Sequence, residues 1–303
     1  MSARQSVEAM SADQYEQEAF KLAGDDYFKA TAQLQCRRSG AGLVFLRDKA
    51  IVPPTRIFDN LVYLGRSGVG AYALLTNDGI ILIDTLNSTN DVQNVIEPGL
   101  RQLGLDPASI KTIIITQGHG DHYGGAVYLS ETYGARIMMS DADWNLLENP
   151  PADSPFADRS RFGAAPPRDL ILEDGQKITL GDTSVTVVLT PGHSPATASL
   201  LIPVFDKGNR HIAGLWGGTG IPRKNEAIQQ YIASAEKFLK VSEEHKADVE
   251  INTHAFVDDG LRRMTEVREN PEGPNPFIIG AERYRKYTRI LELCARAMSA
   301  RSR

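Results

Sequence analysis

The chain has 303 residues, 42% hydrophobic, 23% charged and 7% aromatic, and its 26 glycines and 16 prolines follow no period. This composition excludes collagen-like, low-complexity and wholly disordered classes, and the length suits one large domain or two small ones. With 33 basic against 38 acidic side chains the net charge is −5, so the global field favours neither nucleic acid nor an anionic membrane as a partner.

No apolar run approaches the ~20 residues of a membrane span. The start, Met1-Ser2-Ala3-Arg4-Gln5-Ser6-Val7-Glu8, has no apolar stretch suited to a secretion signal, and a cytoplasmic location is the expectation. Cys36 and Cys294 are too few for a disulfide framework or a thiolate zinc site. In a cytoplasmic chain a bond between them is not expected.

Residues 1 to 12 read as a loose tail, followed by a helical stretch through Tyr15, Ala19, Leu22 and Ala23. Together, residues 1–55 form an N-terminal tail and helical extension. Ile57 to Gly65 and Ala71 to Thr76 have β composition, and Asn77-Asp78-Gly79 then turns into Ile80-Ile81-Leu82-Ile83-Asp84-Thr85. Such a continuous apolar strand belongs in a sheet covered on both faces. A helix near Val92 to Leu103, a strand Lys111 to Thr116, a helix from Tyr123 to Tyr133 and a strand Ala135 to Met139 follow.

A second β-rich set comprises Lys177 to Leu180, Ser184 to Thr190, Ala198 to Ile202 and His211 to Trp216. The next helix carries Ile228, Tyr231, Ile232, Ala235, Phe238 and Leu239 on one stripe, before the strand Val249-Glu250-Ile251-Asn252. Two β sets with their own helices predict two sheets packed face to face within a domain spanning 56–260. Residues 261–303 read as a loop and a helix packed on that domain. From Ala281 to Arg303 there are seven Arg/Lys against two Glu, with Tyr287, Ile290, Leu291, Cys294 and Met298 at helical intervals, the pattern of a solvated terminal helix. Two loops rich in proline, Asn149 to Asp169 and Glu266 to Pro276, read as lids, binding loops or surface excursions.

Four of the six histidines fall where a predicted strand ends. Ile113-Ile114-Ile115-Thr116 runs into Gln117-Gly118-His119-Gly120-Asp121-His122, Val187-Val188-Leu189 into Thr190-Pro191-Gly192-His193, and Val249-Glu250-Ile251 into Asn252-Thr253-His254. Carboxyl ends of strands share one rim of a sheet, so these loops can converge in a cleft. The first loop is too tightly spaced for one helical face and must turn sharply, which Gly118 and Gly120 allow. Imidazole nitrogen with carboxylate and amide oxygen suits a borderline divalent ion, zinc first, then iron, manganese or cobalt, and a His/Asp site leaves room for water. His211 and His245 lack this context. The runs Gly65-Arg66-Ser67-Gly68-Val69-Gly70 and Gly217 to Gly220 lack a phosphate-loop ending and read as tight turns near the cleft.

At these residues the sequence resembles the metallo-β-lactamase superfamily, whose signature is H-x-H-x-D-H followed by two distant His. The resemblance runs from about residue 55 to 260 and includes Ile83-Asp84-Thr85 and Thr190-Pro191-Gly192-His193. It implies an α/β fold, a four-layer αββα sandwich of two mixed β-sheets, with a dinuclear zinc site in the cleft between them. By that resemblance the first zinc takes Gln117, His119 and His193, and the second takes Asp121, His122 and His254. Asp84 either steadies the metal loop or caps its strand.

Two positions depart from the common pattern. Gln117 stands where the first signature His is usual. Many hydrolytic members also carry a bridging Asp at the end of a strand between the distant His, and here that segment is Gly214-Leu215-Trp216-Gly217-Gly218-Thr219-Gly220. The missing carboxylate argues against the glyoxalase-like and acyl-homoserine-lactonase-like branches, and the missing Cys against lactamases with a Cys ligand. What remains resembles the third subclass of metallo-β-lactamases, which includes members with Gln at the first position and is typically exported.

The resemblance implies a zinc hydrolase whose metal-held water ionises near pH ~7 and attacks a polarised carbonyl. Asp121 would orient the proton as a catalytic residue. A cyclic amide is the favoured substrate, because a leaving nitrogen needs electrophilic help. The alternatives are a lactone, thioester or small ester, and a degenerate member that binds metal or ligand without turnover. A small molecule is the expected partner, with no nucleic acid and no membrane.

Overall fold

The structure, a computed structural model, describes residues 10–25, 28–37, 50–151 and 161–302. The expected tail over 1–9 and residues 152–160 of the expected Asn149 to Asp169 loop lie outside the described residues. One sheet holds β1 (Ile51–Phe58), β2 (Leu61–Arg66), β3 (Gly70–Thr76), β4 (Gly79–Ile83), β5 (Ile110–Ile114), β6 (Arg136–Ser140) and β7 (Leu170–Leu172), side by side in chain order. β1 to β4 pair antiparallel and β4 to β7 parallel. The other contains β8 (Lys177–Leu180), β9 (Thr183–Leu189), β10 (Ala198–Asp206), β11 (Asn209–Leu215) and β12 (Val249–Ile251), in the order β12-β11-β10-β9-β8. β12 pairs parallel with β11 and the rest antiparallel.

The principal helices are α1 (Ala12–Ala23), α2 (Phe28–Arg37), α3 (Gly120–Tyr123), α4 (Ala126–Tyr133), α5 (Asp141–Glu148), α6 (Asn225–Glu244), α7 (Gly260–Glu269) and α8 (Ala281–Arg301). A further helical run covers 89–102.

Strand alternation sorts side chains into layers. Ile81 and Ile83 of β4 face the core between the sheets, together with Tyr63, Val187, Leu200 and Ile202. Ile80 and Leu82 point the other way, against Val92, Ile96, Ala126 and Leu129 of the covering helices. On the second sheet Leu201 and Val188 face outward to Ile228, Phe238 and Leu291. The result is the four-layer αββα sandwich of two mixed sheets. Truncating a fully buried isoleucine such as Ile81 to alanine costs about 2–5 kcal/mol.

Several expectations need correction. The β segment Ile57 to Gly65 is broken at Asp59-Asn60, where Asp59 Oδ2 accepts from Gly208 N at 2.9 Å and Asn60 Oδ1 from Phe205 N at 3.1 Å, giving two strands. The Glu266 to Pro276 loop starts late, because α7 continues to Glu269. The C-terminal helix is not a solvated one: Tyr284, Tyr287, Leu291 and Cys294 are buried against α1, α2 and α6, and its basic residues pair with acids, Arg296 with Glu292 and Glu236.

Cys36 and Cys294 are joined in a disulfide, contrary to expectation. α2 packs on α8 and brings their Cα atoms to 4.4 Å across a sequence separation of 258, a proximity that spacing along the chain cannot reveal. The cross-link ties the N-terminal helices to the C-terminal one, and α2 in turn reaches the cleft loops: Thr31 Oγ1 donates to Val257 O at 2.9 Å and Gln35 Nε2 donates to Thr219 O.

Candidate metal centre

Asp84 follows β4 in the left-handed region, φ 61°, which Asp tolerates better than most residues. This twist aims its buried carboxylate at the next strand end. Oδ1 accepts from Thr116 N at 2.8 Å, and Oδ2 from Thr116 Oγ1 at 2.8 Å. Oδ2 also lies 2.6 Å from His122 Nδ1, and Thr85 N donates to His122 O at 2.7 Å. Asp84 therefore steadies the His122 loop and is no mere strand cap.

The turn from Thr116 into α3 is tight enough to place Gln117, His119, Asp121 and His122 on one rim. At Gly120 a Cβ would stand 2.2 Å from Phe162 Cγ, so glycine is required for that ring to close over the turn. Phe162 belongs to the expected Asn149 to Asp169 loop, whose described part thus borders the cleft.

His193 follows β9 and His254 follows β12, and each is held from behind by a carbonyl. His193 Nδ1 donates to Gly220 O, and His254 Nδ1 donates to Gly68 O at 2.7 Å. With His122 on Asp84, three imidazoles have Nδ1–H committed and Nε2 left as an acceptor, which in His122 meets the Gln117 amide, the arrangement of a preorganised ligand. Both glycine runs are therefore near the cleft as expected, and their carbonyls orient its histidines. Close approach explains the glycines: a Cβ at Gly218 would stand 2.8 Å from His193 Cβ.

The four rings form two edge-on pairs, His119 with His193 at 4.9 Å between centroids and His122 with His254 at 5.1 Å. One donor atom each from Asp121, His122 and His254 lies within 4.8 Å of the others, and these three could hold a metal ion. Gln117 is fully buried beside the His122 ring. Its Nε2 lies 2.8 Å from His122 Nε2 and donates to Gly217 O at 3.1 Å, whereas its Oε1 is buried with no hydrogen-bond partner. An orphaned carbonyl oxygen is costly to bury, and a cation in the cleft is the kind of group that would satisfy it.

Electrostatics favour lone pairs over protons. Burial pushes His193 down to about 4 and lowers His119 and His254. His122 goes the other way, because Asp121 and Asp84 outweigh its burial and make it more basic. Burial alone would raise Asp121, but His122, His254 and His119 hold it at about 2, so it is ionised at neutral pH.

Comparison with known proteins agrees with this geometry. The family model of the metallo-beta-lactamase superfamily matches residues 64–204. The crystal structure of BJP-1, a subclass B3 metallo-beta-lactamase of Bradyrhizobium japonicum, superposes with a TM-score of 0.66 at 28% identity, covering 84% of this chain and 92% of that one. Over residues 64–204 the chain is similar to the metallo-beta-lactamase superfamily. Among curated relatives, the probable metallo-hydrolase YqgX of Bacillus subtilis is 23% identical over 219 residues, 72% of this chain and 95% of that protein. The hydroxyacylglutathione hydrolase of Cereibacter sphaeroides is 28% identical over 123 residues, 40% of this chain and 41% of that protein.

The segment after β11 carries no carboxylate, and its Gly217 O holds the Gln117 amide. His211 lies outside the cluster, with Nδ1 at 2.6 Å from Asp248 Oδ2, and His245 Nδ1 donates to Val241 O. Sequence reading missed Thr116, Asp143 and Ser194, which shape the loops from beneath. Ser and Thr beside strand ends are too common for sequence to single out.

Proposed function

We propose that the cleft is a dinuclear zinc centre of a hydrolase that opens a cyclic amide, with Gln117, His119 and His193 holding one ion and Asp121, His122 and His254 the other. The observation that carries this reading is the convergence of Asp121, His122 and His254 beside the His119/His193 pair. The donor set fits: committed Nδ1 atoms, an ionised carboxylate, an orphaned amide oxygen and no thiolate suit an open catalytic site rather than a closed structural one. Zinc bound there supplies Lewis acidity and makes water acidic near neutral pH.

The protein's own groups do the rest. Asp121, 21% exposed and ionised, accepts a hydrogen bond from an incoming water and turns its lone pair towards a carbonyl carbon. As the water's oxygen bonds to the carbon, the carboxylate takes the water's proton, and it passes the proton to the nitrogen as the C–N bond breaks. Phe162 over Gly120, and Phe256, whose ring packs on His254 at 6.0 Å between centroids, give the cleft apolar walls that limit bulk water and suit a small organic substrate. Similarity to a subclass B3 β-lactamase favours the cyclic amide. Similarity to a hydroxyacylglutathione hydrolase favours a thioester, lactone or ester as the second reading.

The disulfide bears on location. No helix among the described residues is long and apolar enough to cross a membrane, and a cystine persists in oxidising compartments. The cystine therefore favours an oxidising compartment over the expected cytoplasm.

Zinc-loaded protein offered a chromogenic cephalosporin, an acyl thioester and an acyl lactone separates the readings. Fastest turnover of the cephalosporin is expected. Preference for the thioester or lactone supports the second reading, and zinc uptake without turnover of any of the three supports a degenerate, non-catalytic member.

A further inference from the structure

Asp143 on α5 is fully buried and lies outside the six-residue cluster, yet its carboxylate is where two cluster loops meet. Oδ2 accepts from Ser194 Oγ at 2.8 Å and Oδ1 from Ala196 N at 3.4 Å. The Gly118 backbone also donates to it. Gly118 separates Gln117 from His119, and Ser194 follows His193. The contact is close: a Cβ at Gly118 would lie 3.3 Å from Asp143 O and 3.4 Å from Asp143 Cβ. Ser194 is itself fixed, its N donating to Thr197 Oγ1 at 3.1 Å.

These donors are neutral, and burial pushes the Asp143 carboxyl up to about 6. A buried acid held by neutral donors is expensive to keep, which points to a role beyond filling space. The cluster already has one such carboxylate. Asp84 binds Thr116 and His122, on the side of Asp121 and His254. Asp143 binds Gly118 and Ser194, on the side of His119 and His193.

We propose that Asp143 is a positioning residue that sets the separation of His119 from His193, and through it the affinity of the first site for a divalent ion, without touching ion or substrate. The proposal rests on the reading of the cluster as a metal centre. An amide at this position offers one acceptor oxygen instead of two and presents an NH2 to donors, so one loop must move.

The test is a zinc titration of Asp143→Asn followed through the imidazole ¹H–¹⁵N signals, which report each site separately. Zinc affinity read at His193 should fall about 10–100-fold, the usual effect of losing an outer hydrogen-bonding partner, while affinity read at His254 stays as in wild type. In the metal-free protein the His119 and His193 signals should shift more than those of His122 and His254. Ser194→Ala, which removes one bond and keeps the carboxylate, should give a smaller change of the same pattern, and it decides the matter if Asp143→Asn does not fold. Equal weakening at both sites, or unchanged affinity with unmoved signals, would overturn the proposal. A wild type that takes up no zinc would overturn the metal reading itself, an outcome distinct from a failure of Asp143.

Discussion

Asp84 Oδ2 lies 2.6 Å from His122 Nδ1, and the same oxygen accepts from Thr116 Oγ1. A single carboxylate thus links the end of β4, the end of β5 and one imidazole of the cluster, fixing the His122 tautomer and raising its basicity. Asp84→Asn should lower zinc affinity read at His254 by about 10–100-fold, with a comparable fall in kcat/KM. Site-resolved zinc titration checks this, and unchanged affinity would mean that the link is structural only.

Gln117 should make the first site the weaker one, because a neutral amide gives less charge to an ion than imidazole does. The protein is expected to purify with fewer than two equivalents of zinc, the deficit lying at His119 and His193. Gln117→His should raise occupancy there and activity at low zinc, whereas at saturating zinc the gain can vanish, since a more electron-rich ion is a weaker Lewis acid. Three superimposable zinc titrations, for wild type, Gln117→His and Gln117→Ala, would show that position 117 holds no metal.

Protonation of His193 should cost the metal-free protein stability as pH falls below neutrality. His193 titrates at about 4 when folded against 6.5 ordinarily, so the unfolded chain takes up its proton first, and the stability present above 6.5 drains away down to about 4. His119 and His254 are lowered and act in the same direction, while His122 and the buried acids Asp143 and Glu250 are raised and oppose them. The His193 share is isolated by comparison: from about pH 7 to pH 5 the Tm should fall more steeply in wild type than in His193→Asn. Calorimetry of the two apoproteins checks the sign of the difference.

Much of the sandwich was legible because a continuous apolar strand such as Ile80 to Ile83 declares a sheet covered on both faces, and the rim was legible because four His follow strand ends. Contacts between distant segments were not. The Cys36 to Cys294 bond spans nearly the whole chain, and the burial of α8 depends on α1, α2 and α6 being there to cover it. Asp143 carries no local sign of its role, since a buried carboxylate on a short helix looks like an N-terminal acid on a solvated one.

The disulfide should be quantitative in protein isolated without reductant: no thiol titratable under denaturing conditions before reduction, and two after it. Replacing both cysteines by serine should cost about 2–5 kcal/mol of stability. It should also loosen the cleft, because α2 holds Thr219 O and Val257 O through Gln35 and Thr31. Hydrogen exchange over 217–220 and 253–258 reads this, and protection equal to wild type would confine the bond to a purely global effect.

The central claim is that loops from three strand ends build one metal centre, and anomalous diffraction at the zinc edge from zinc-soaked crystals tests it most directly. A strong peak is expected among Asp121, His122 and His254, with a second of lower occupancy among Gln117, His119 and His193. No anomalous density at either place in crystals soaked at saturating zinc would contradict the account.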